Sequence, residues 1–282
     1  MGDNKKKKGE RKMKLKNKIT AIALCSTFAV TGLTGCTVFS GNDASKEETT
    51  TTTVATETVA TETTDESSTT KTKTVDVNLE EGETLDASSM GVASTAAEEL
   101  NSGNAAYLSG QADMNVSSKL REELTNGQKP HTVVITCSDS RVPPELIFNA
   151  DLGELFTIRT AGNVVGDFEV GSVEYAVDHL GSQLVLVMGH SSCGAVGAAV
   201  EGHASGNVES IIHEITPSVE EASKTEKDEK AIADKAEDLN VENTLAKLRE
   251  SSVIKELEES GKIKLMGAKY DIETGKVHYF SE

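Results

Sequence analysis

The chain lacks an apolar segment long enough to cross a lipid bilayer. Its apolar run at residues 19–30 is shorter than the roughly 20 apolar residues that a membrane-spanning helix needs. Nine lysines and arginines lie in residues 1–18, before this run, and the small residues 33–36, Leu-Thr-Gly-Cys, follow it. A basic start, a short apolar run and small residues together are typical of an export signal.

The end of this segment resembles the lipobox of bacterial lipoproteins. In those proteins the signal is cut before a cysteine, which then carries the lipid. The resemblance implies that residues 1–36 form an export signal ending at the lipidated Cys36. It further implies a protein on the extracytoplasmic face of the cell membrane, held there only by its lipid. An ordinary secretory leader is the alternative.

Positive charge is scarce. The chain has 28 lysines and arginines against 46 aspartates and glutamates, a formal net charge of -18, and loss of the basic leader would enlarge the acidic excess. Such a surface repels phosphate backbones and anionic lipid headgroups. We therefore expect no nucleic-acid partner and no electrostatic docking on a membrane, and we expect a partner that is small or not selected by charge.

Large apolar residues are nearly absent from residues 37–86, where threonine, serine and glutamate dominate. Such a segment cannot bury enough apolar surface to offset the entropy of ordering it. We predict that residues 37–86 are a disordered stalk. Residues 87–282 then form the folded domain, which the stalk would space from the membrane.

The start of the folded domain contains two helix-like stretches, residues 93–100 and 116–125. Glycines follow each of them, at Gly103, Gly110 and Gly127. Because glycine is unfavourable inside a helix, we predict that these glycines interrupt the helical segments.

Four short runs of β-branched and apolar residues come next, at residues 132–136, 155–159, 184–188 and 262–267. A helical segment, residues 170–179, separates the second from the third. Continuous apolar strands that alternate with helices indicate an α/β fold, with a mainly parallel sheet flanked by helices. Ligands of such sheets bind at the carboxyl ends of the strands.

Cysteine is also scarce, with four in the chain. Cys25 lies in the signal and Cys36 would be lipidated, so Cys137 and Cys193 remain. An exported protein could join these two as a disulfide. Both, however, follow predicted strand ends, as does His190, and cysteine sulfur and histidine nitrogen are the usual zinc ligands. We predict that Cys137, His190 and Cys193 bind one zinc ion, whose fourth position is left for a water molecule.

Two charged residues follow the first predicted ligand at short spacing. Asp139 and Arg141 lie two and four residues after Cys137, so the arginine can pair with the carboxylate and keep it ionised. That carboxylate could accept a hydrogen bond from a metal-bound water or occupy the fourth metal position itself. A structural salt bridge at a helix start is the alternative.

These residues resemble a known family. Residues 137–141, Cys-Ser-Asp-Ser-Arg, and 190–195, His-Ser-Ser-Cys-Gly-Ala, are similar to the two signature motifs of β-class carbonic anhydrases. The likeness extends from about residue 90 to the end of the chain, through residues 126–130, 159–163, 171–175 and 270–275.

The resemblance implies a zinc enzyme that interconverts carbon dioxide and bicarbonate, with one Zn²⁺ per subunit. Zinc lowers the pKa of its water to near neutrality, so that hydroxide can attack carbon dioxide. The ligands would be Cys137, His190 and Cys193, and Asp139 and Arg141 would form the catalytic pair.

In the family the substrate pocket is shared across a homodimer or a higher even oligomer. By their motifs, the pocket residues would be Gln128, Phe156, Ala161, Tyr175 and Gly194. Gln128 would hydrogen-bond substrate or bicarbonate, and Phe156 and Ala161 would form a dry wall suited to an apolar gas. Simple core packing is the alternative for Phe156 and Tyr175. Three histidines are candidate proton shuttles, although surface histidines usually have no such role: His179, His203 and His213.

Three features depart from the family. The first is the stalk with its lipid anchor. The second is the lack of tryptophan: some members use an aromatic residue with an arginine as a regulatory bicarbonate site, and that regulation is not predicted here. The third is the acidic stretch at residues 219–238, which is longer than the resemblance leads us to expect. It lies within residues 217–243, which are crowded with charged side chains. We interpret this stretch as a solvated helix or an insertion without a function.

Two other functions fit the same residues. A related zinc hydrolase could act on carbon disulfide or carbonyl sulfide, in which case pocket access rather than the ligands would differ. A non-catalytic zinc-binding surface protein would hold the metal without turnover. The presence of Asp139, Arg141 and Gln128 beside only three ligands argues against the second, because structural zinc usually has four protein ligands.

Overall fold

The computed structural model describes residues 82–281. The predicted signal, Cys36 and most of the predicted stalk lie outside these residues. Within the part that is described, none of the helices combines the length and the apolar character needed to traverse a bilayer.

A five-stranded sheet forms the centre of the domain, in the order β2-β1-β3-β4-β5. All neighbouring strands are parallel except β4 and β5, which are antiparallel. The predicted α/β class with a mainly parallel sheet is confirmed, although the fourth strand begins and ends later than its apolar run. The strands are β1 (Thr132–Cys137), β2 (Leu155–Thr160), β3 (Leu184–His190), β4 (Lys264–Tyr270) and β5 (Val277–Tyr279).

Helices connect the strands and cover the sheet. Among the described residues they are α1 (Ser94–Leu108), α2 (Ser118–Glu123), α3 (Pro144–Ile147), α4 (Asp167–Glu174), α5 (Gly194–Glu201), α6 (Val208–Thr225), α7 (Glu229–Leu248) and α8 (Ser252–Glu259). A π-helical turn, Tyr175–Leu180, continues α4. Local sequence sets where α7 and α8 begin, since the side chains of Asp228 and Ser251 accept hydrogen bonds from backbone N–H groups of the first turn.

The sheet has a hydrophobic core on each face. Successive side chains of a strand point to opposite faces, so Leu184 and Leu186 of β3 pack into one core, whereas Val185 and Val187 pack into the other. Every residue of β1 and β3 is buried. This double burial explains why the central strands are continuous apolar runs rather than alternating ones.

Residues 82–86, the end of the predicted stalk, contact the folded domain. Leu85 is 4% exposed and belongs to the hydrophobic core, and the Gly82 carbonyl accepts a hydrogen bond of 2.6 Å from the Tyr279 N–H. Glu83, also buried, pairs with Lys276 at 2.9 Å. Contacts with the distant C-terminal strand thus hold residues 82–86 against the domain.

The predicted break at Gly103 is wrong, since α1 continues through it to Leu108. A Cβ atom at Gly103 would lie 1.7 Å from the Phe148 carbonyl oxygen. Glycine is present there because the helix packs directly against another backbone, a close approach that cannot be deduced from local propensity.

The residues between 217 and 243 are not an exposed insertion either. Most of them belong to α7, which packs against the sheet and buries Ala236, Glu237, Asn240, Val241 and Thr244. Because several of these buried residues are polar, the apolar periodicity of the helix is weak, and this is why the sequence suggested a solvated segment.

Substitution Gly103→Ala tests the close approach of α1 to Phe148. We expect it to lower the free energy of unfolding by about 3 kcal/mol, because either α1 or the Phe148 segment must shift to admit the methyl group. Urea unfolding measures the change. Gly171→Ala in α4 is the control, because a Cβ there meets no atom within 4 Å. Equal stability of Gly103→Ala and the wild type would contradict the close approach.

Candidate metal centre

The three predicted metal ligands lie at one edge of the sheet. Cys137 is the last residue of β1, His190 is the last residue of β3, and Cys193 precedes α5. Since β1 and β3 are parallel neighbours, their carboxyl ends lie side by side. This is the edge at which sheets of this kind bind ligands.

The ligand atoms converge. One donor atom from each of Cys137, His190 and Cys193 lies within 4.8 Å of the other two, and all three residues are buried. The two cysteines are free thiols and do not form a disulfide. A buried cluster of two sulfurs and one imidazole nitrogen is a donor set that zinc prefers.

The His190 ring shows that the cluster fits a metal ion. Its Nδ1 lies 2.9 Å from the Ser191 carbonyl oxygen and can donate a proton to it, which leaves the lone pair on Nε2. Nε2 is buried and, among the described residues, has no hydrogen-bond partner. An unpaired polar atom is unfavourable in the interior, and a metal ion at Nε2 would satisfy it.

The two cysteine thiols contact each other, and this contact moves their pKa values in opposite directions. The hydrogen bond with Cys193, together with the N–H of Gly162, lowers the pKa of Cys137 to about 4. The same bond and burial raise the pKa of Cys193. A divalent cation would remove this difference, because metal binding releases the protons of its ligands.

The backbone turn between His190 and Cys193 brings these two ligands close together. Ser192, between His190 and Cys193, has a φ of 57°, in the left-handed region that non-glycine residues seldom adopt. The Ser191 side chain accepts a hydrogen bond of 3.0 Å from the Ile272 N–H, which ties the turn to the segment after β4. The strained turn is thus held by contacts outside itself.

Asp139 and Arg141 form the pair that their spacing suggested. Arg141 donates from Nε to Oδ1 at 3.0 Å and from Nη2 to Oδ2 at 2.8 Å. This double contact holds the pKa of Asp139 well below its usual range. Oδ2 of Asp139 lies 4.0 Å from His190 Nε2, so an ionised carboxylate borders the metal cluster.

The loop that carries Asp139 is held by a residue whose role we did not predict. Arg159 of β2 donates from Nε to the Cys137 carbonyl at 3.0 Å and from Nη2 to the Asp139 carbonyl at 2.5 Å. Arg159 belongs to residues 159–163, one of the stretches that resemble β-class carbonic anhydrases. Nothing in its own spacing, however, indicated that it binds this loop.

The predicted pocket residues are only partly brought together. The rings of Phe156 and Tyr175 lie 6.3 Å apart, and Tyr175 is 48% exposed. Ala161 precedes Gly162, the residue whose N–H donates to Cys137 Sγ. Gly194 is the first residue of α5 and is exposed. Gln128 is exposed, and no hydrogen bond within residues 82–281 joins it to the metal cluster.

The candidate proton shuttles are all exposed: His179, His203 and His213.

Comparison with known proteins assigns the chain to a protein family. The family model described as carbonic anhydrase matches residues 132–277, more than half of the sequence. The chain belongs to the carbonic anhydrase family. Carbonic anhydrase 2 of Mycobacterium tuberculosis is 36% identical over 184 residues, which cover 63% of this chain and 87% of that protein. The carbonic anhydrase of Mycolicibacterium smegmatis is 37% identical over 185 residues, covering 63% and 88%.

Solved structures place it in the β class of that family. The β-carbonic anhydrase CcaA shares 30% identity with a TM-score of 0.53, covering 58% of this chain and 78% of that one. The β-carbonic anhydrase CafA of Aspergillus fumigatus shares 29% with a TM-score of 0.54, covering 58% and 81%. Tetrameric β-carbonic anhydrases of Sordaria macrospora share 26% with a TM-score of 0.54, covering 64% and 94%.

Substitution Cys193→Ala tests the ligand set. We expect loss of stoichiometric zinc, because a three-residue site would be left with only two protein ligands. Atomic absorption of the purified, dialysed protein measures the metal. Ser192→Ala is the control, since Ser192 is an exposed residue of the same turn and should leave one zinc per chain. Full zinc content in Cys193→Ala would remove this residue from the ligand set.

Proposed function

We propose that the protein is a zinc-dependent β-carbonic anhydrase, which interconverts carbon dioxide and water with bicarbonate and a proton. The observation that carries the proposal is the buried cluster of Cys137, His190 and Cys193 beside the Asp139–Arg141 pair. Membership of the β-carbonic anhydrase family supports the same reaction.

Zinc is the metal that this donor set suits, at one ion per chain. The sulfurs of Cys137 and Cys193 and Nε2 of His190 would hold it. Bound there, it would supply Lewis-acid activation of water at neutral pH. Three protein ligands favour a catalytic rather than a structural role, because structural zinc sites usually have four.

Asp139 has the charge and the position of a hydrogen-bond acceptor for the attacking water. Its pairing with Arg141 keeps the carboxylate ionised, so it can accept a hydrogen bond from the water but cannot donate one. It therefore orients the nucleophile with a lone pair free to attack carbon dioxide. Arg141 also donates to the Ser192 carbonyl at 3.3 Å, which ties this carboxylate to the turn that bears Cys193.

The substrate pocket is completed by a second copy of the chain, in a homodimer or a higher even oligomer. Phe168 is 87% exposed and Tyr175 is 48% exposed, so both aromatic side chains are available to a second copy. Gln128 would then hydrogen-bond bicarbonate, while Phe156 and Ala161 line an apolar wall for the gas. The Sordaria macrospora relatives are described as tetrameric, which supports an even assembly.

The protein is placed on the extracytoplasmic face of the cell membrane by a lipid on Cys36. The support for this proposal is the basic, apolar and small-residue order of residues 1–36. Cys36 lies outside the described residues, and the stalk that follows it would keep the catalytic domain away from the bilayer.

Stopped-flow hydration of carbon dioxide tests the activity, with zinc content measured on the same samples. We expect turnover to rise in proportion to zinc. Asp139→Asn should keep the metal and lose at least about tenfold in turnover, since residues that orient the groups around a metal usually contribute 10–100-fold. Asp167→Asn, an exposed carboxylate at the start of α4, is the control and should keep full activity.

Two outcomes would contradict these assignments. Full activity in Asp139→Asn would remove Asp139 from the mechanism. Full zinc occupancy without carbon dioxide turnover in the wild type would overturn the carbonic anhydrase assignment. Carbon disulfide and carbonyl sulfide would then be tested in the same apparatus to distinguish a sulfur-gas hydrolase from a binding protein.

Substitution Cys36→Ser tests the lipid anchor. We expect the variant to lose its lipid and to leave the membrane fraction, because no other part of the proposed architecture holds the protein there. Fractionation with immunoblotting measures the distribution, and globomycin, which blocks lipoprotein signal cleavage, should leave the wild type as an uncut precursor. Cys25→Ser is the matched control. A Cys36→Ser protein that stays in the membrane fraction would contradict the anchor.

A further inference from the structure

One face of α7 is polar although it is buried. Glu237, Asn240 and Thr244 are 4%, 1% and 5% exposed. Their spacing of three and then four residues places them on one side of the helix. Burying polar side chains is unfavourable unless each finds a partner, so the contacts of this face indicate what it does.

Glu237 holds the segment that carries one cysteine ligand. Its Oε1 accepts a hydrogen bond of 2.9 Å from the backbone N–H of Cys193. Its Oε2 lies 2.9 Å from Nζ of Lys269 in β4, which also pairs with Asp234 at 2.7 Å and Asp238 at 3.3 Å. Burial raises the pKa of Glu237, and the lysine offsets part of this cost while it holds the carboxyl group against the Cys193 backbone.

Asn240 holds the segment that contacts the other cysteine ligand. Its Nδ2 donates to the Gly162 carbonyl at 2.7 Å, and the Gly162 N–H donates to Cys137 Sγ at 3.2 Å. Oγ1 of Thr244 lies 3.2 Å from the Asn163 carbonyl in the same turn, but its single proton has a nearer acceptor in the Asn240 carbonyl at 2.9 Å. The N–H that reaches the sulfur is thus placed by the Asn240 side chain, with Thr244 packed beside the same turn.

The backbone next to the third ligand also contacts this helix. A Cβ atom at Gly189, which precedes His190, would lie 2.7 Å from Val241 Cγ2 and 3.5 Å from the Glu237 carbonyl oxygen. The absence of a side chain at Gly189 therefore lets α7 approach β3 immediately beside the metal cluster. Segments bearing or touching all three ligands meet one helix.

We propose that α7 sets the geometry of the metal centre, with Glu237 acting through the Cys193 backbone and Asn240 acting through Gly162 on the Cys137 sulfur. Both are positioning residues, since neither touches the metal or the substrate. The inference rests on the proposed zinc function. Outer contacts of this kind orient metal ligands and tune their donor strength.

Metal affinity and the spectrum of the cobalt form test the proposal on the full chain. We expect Glu237→Ala and Asn240→Ala to bind zinc about 10–100-fold more weakly in competition with a chelator. In the Co²⁺-substituted protein, their visible ligand-field bands and thiolate-to-cobalt charge-transfer band should shift. Glu237→Gln should restore near-wild-type affinity, because its amide oxygen can still accept from the Cys193 N–H.

Matched controls lie on the same helix. Glu242→Ala removes an exposed carboxylate, and Asn243→Ala removes a hydrogen bond of 2.8 Å to Ser218 away from the metal cluster. Both should keep the wild-type zinc affinity and cobalt spectrum. Should an alanine variant fail to fold, Glu237→Met and Asn240→Leu replace it, since apolar side chains of similar volume remove the contact without leaving a cavity.

The outcomes separate this inference from the proposed function. Wild-type zinc affinity and an unchanged cobalt spectrum in the Glu237 and Asn240 variants, even with lowered thermal stability, would show that α7 is only structural and would overturn the inference. Zinc binding without carbon dioxide turnover in the wild type would overturn the function, while the affinities would still decide the role of α7. Failure of the wild type to bind zinc would overturn both.

Discussion

The parallel pairing of β1 with β3 is the contact on which the rest of the site depends. It sets Thr136 opposite Met188, and the Thr136 hydroxyl donates to the Met188 carbonyl at 2.8 Å, directly before the two strands deliver Cys137 and His190. Because both strands are buried on both faces, a shift of register by one residue would exchange the two cores. The core thus fixes the distance between ligands that lie 53 positions apart in the sequence.

Charge pairing makes such a site tolerable in a strongly acidic chain. Asp139, paired with Arg141, borders the metal cluster. Glu237, paired with Lys269, contacts the backbone of Cys193. Each carboxylate has a cation that favours its ionised form, although burial still raises the pKa of Glu237, and each also contacts the backbone of the loop that it supports. The net charge of the molecule therefore says little about the electrostatics of its centre, where individual pairs decide which groups are ionised.

The site has an inner group of residues with reactive side chains and an outer group that holds them. Cys137, His190 and Cys193 can bind the metal, while Arg159 and α7 contact mainly the backbone that carries them. Backbone contacts let the outer residues orient a ligand without competing with it for the metal. This arrangement also explains why α7 must be close to the sheet, and why Gly189 beside it has no side chain.

The sequence by itself determined whatever depends on neighbours in the chain: the apolar strands, the spacing of Asp139 and Arg141, and the three ligand types that follow strand ends. Only the tertiary structure decided that Gly103 lies inside a helix, that residues 82–86 contact the domain, and that Glu237 and Asn240 bind the backbone beside the cysteine ligands. The physical reason is the same in each case. These residues take their roles from contacts with segments 40 or more positions away, and local propensity contains no information about such contacts.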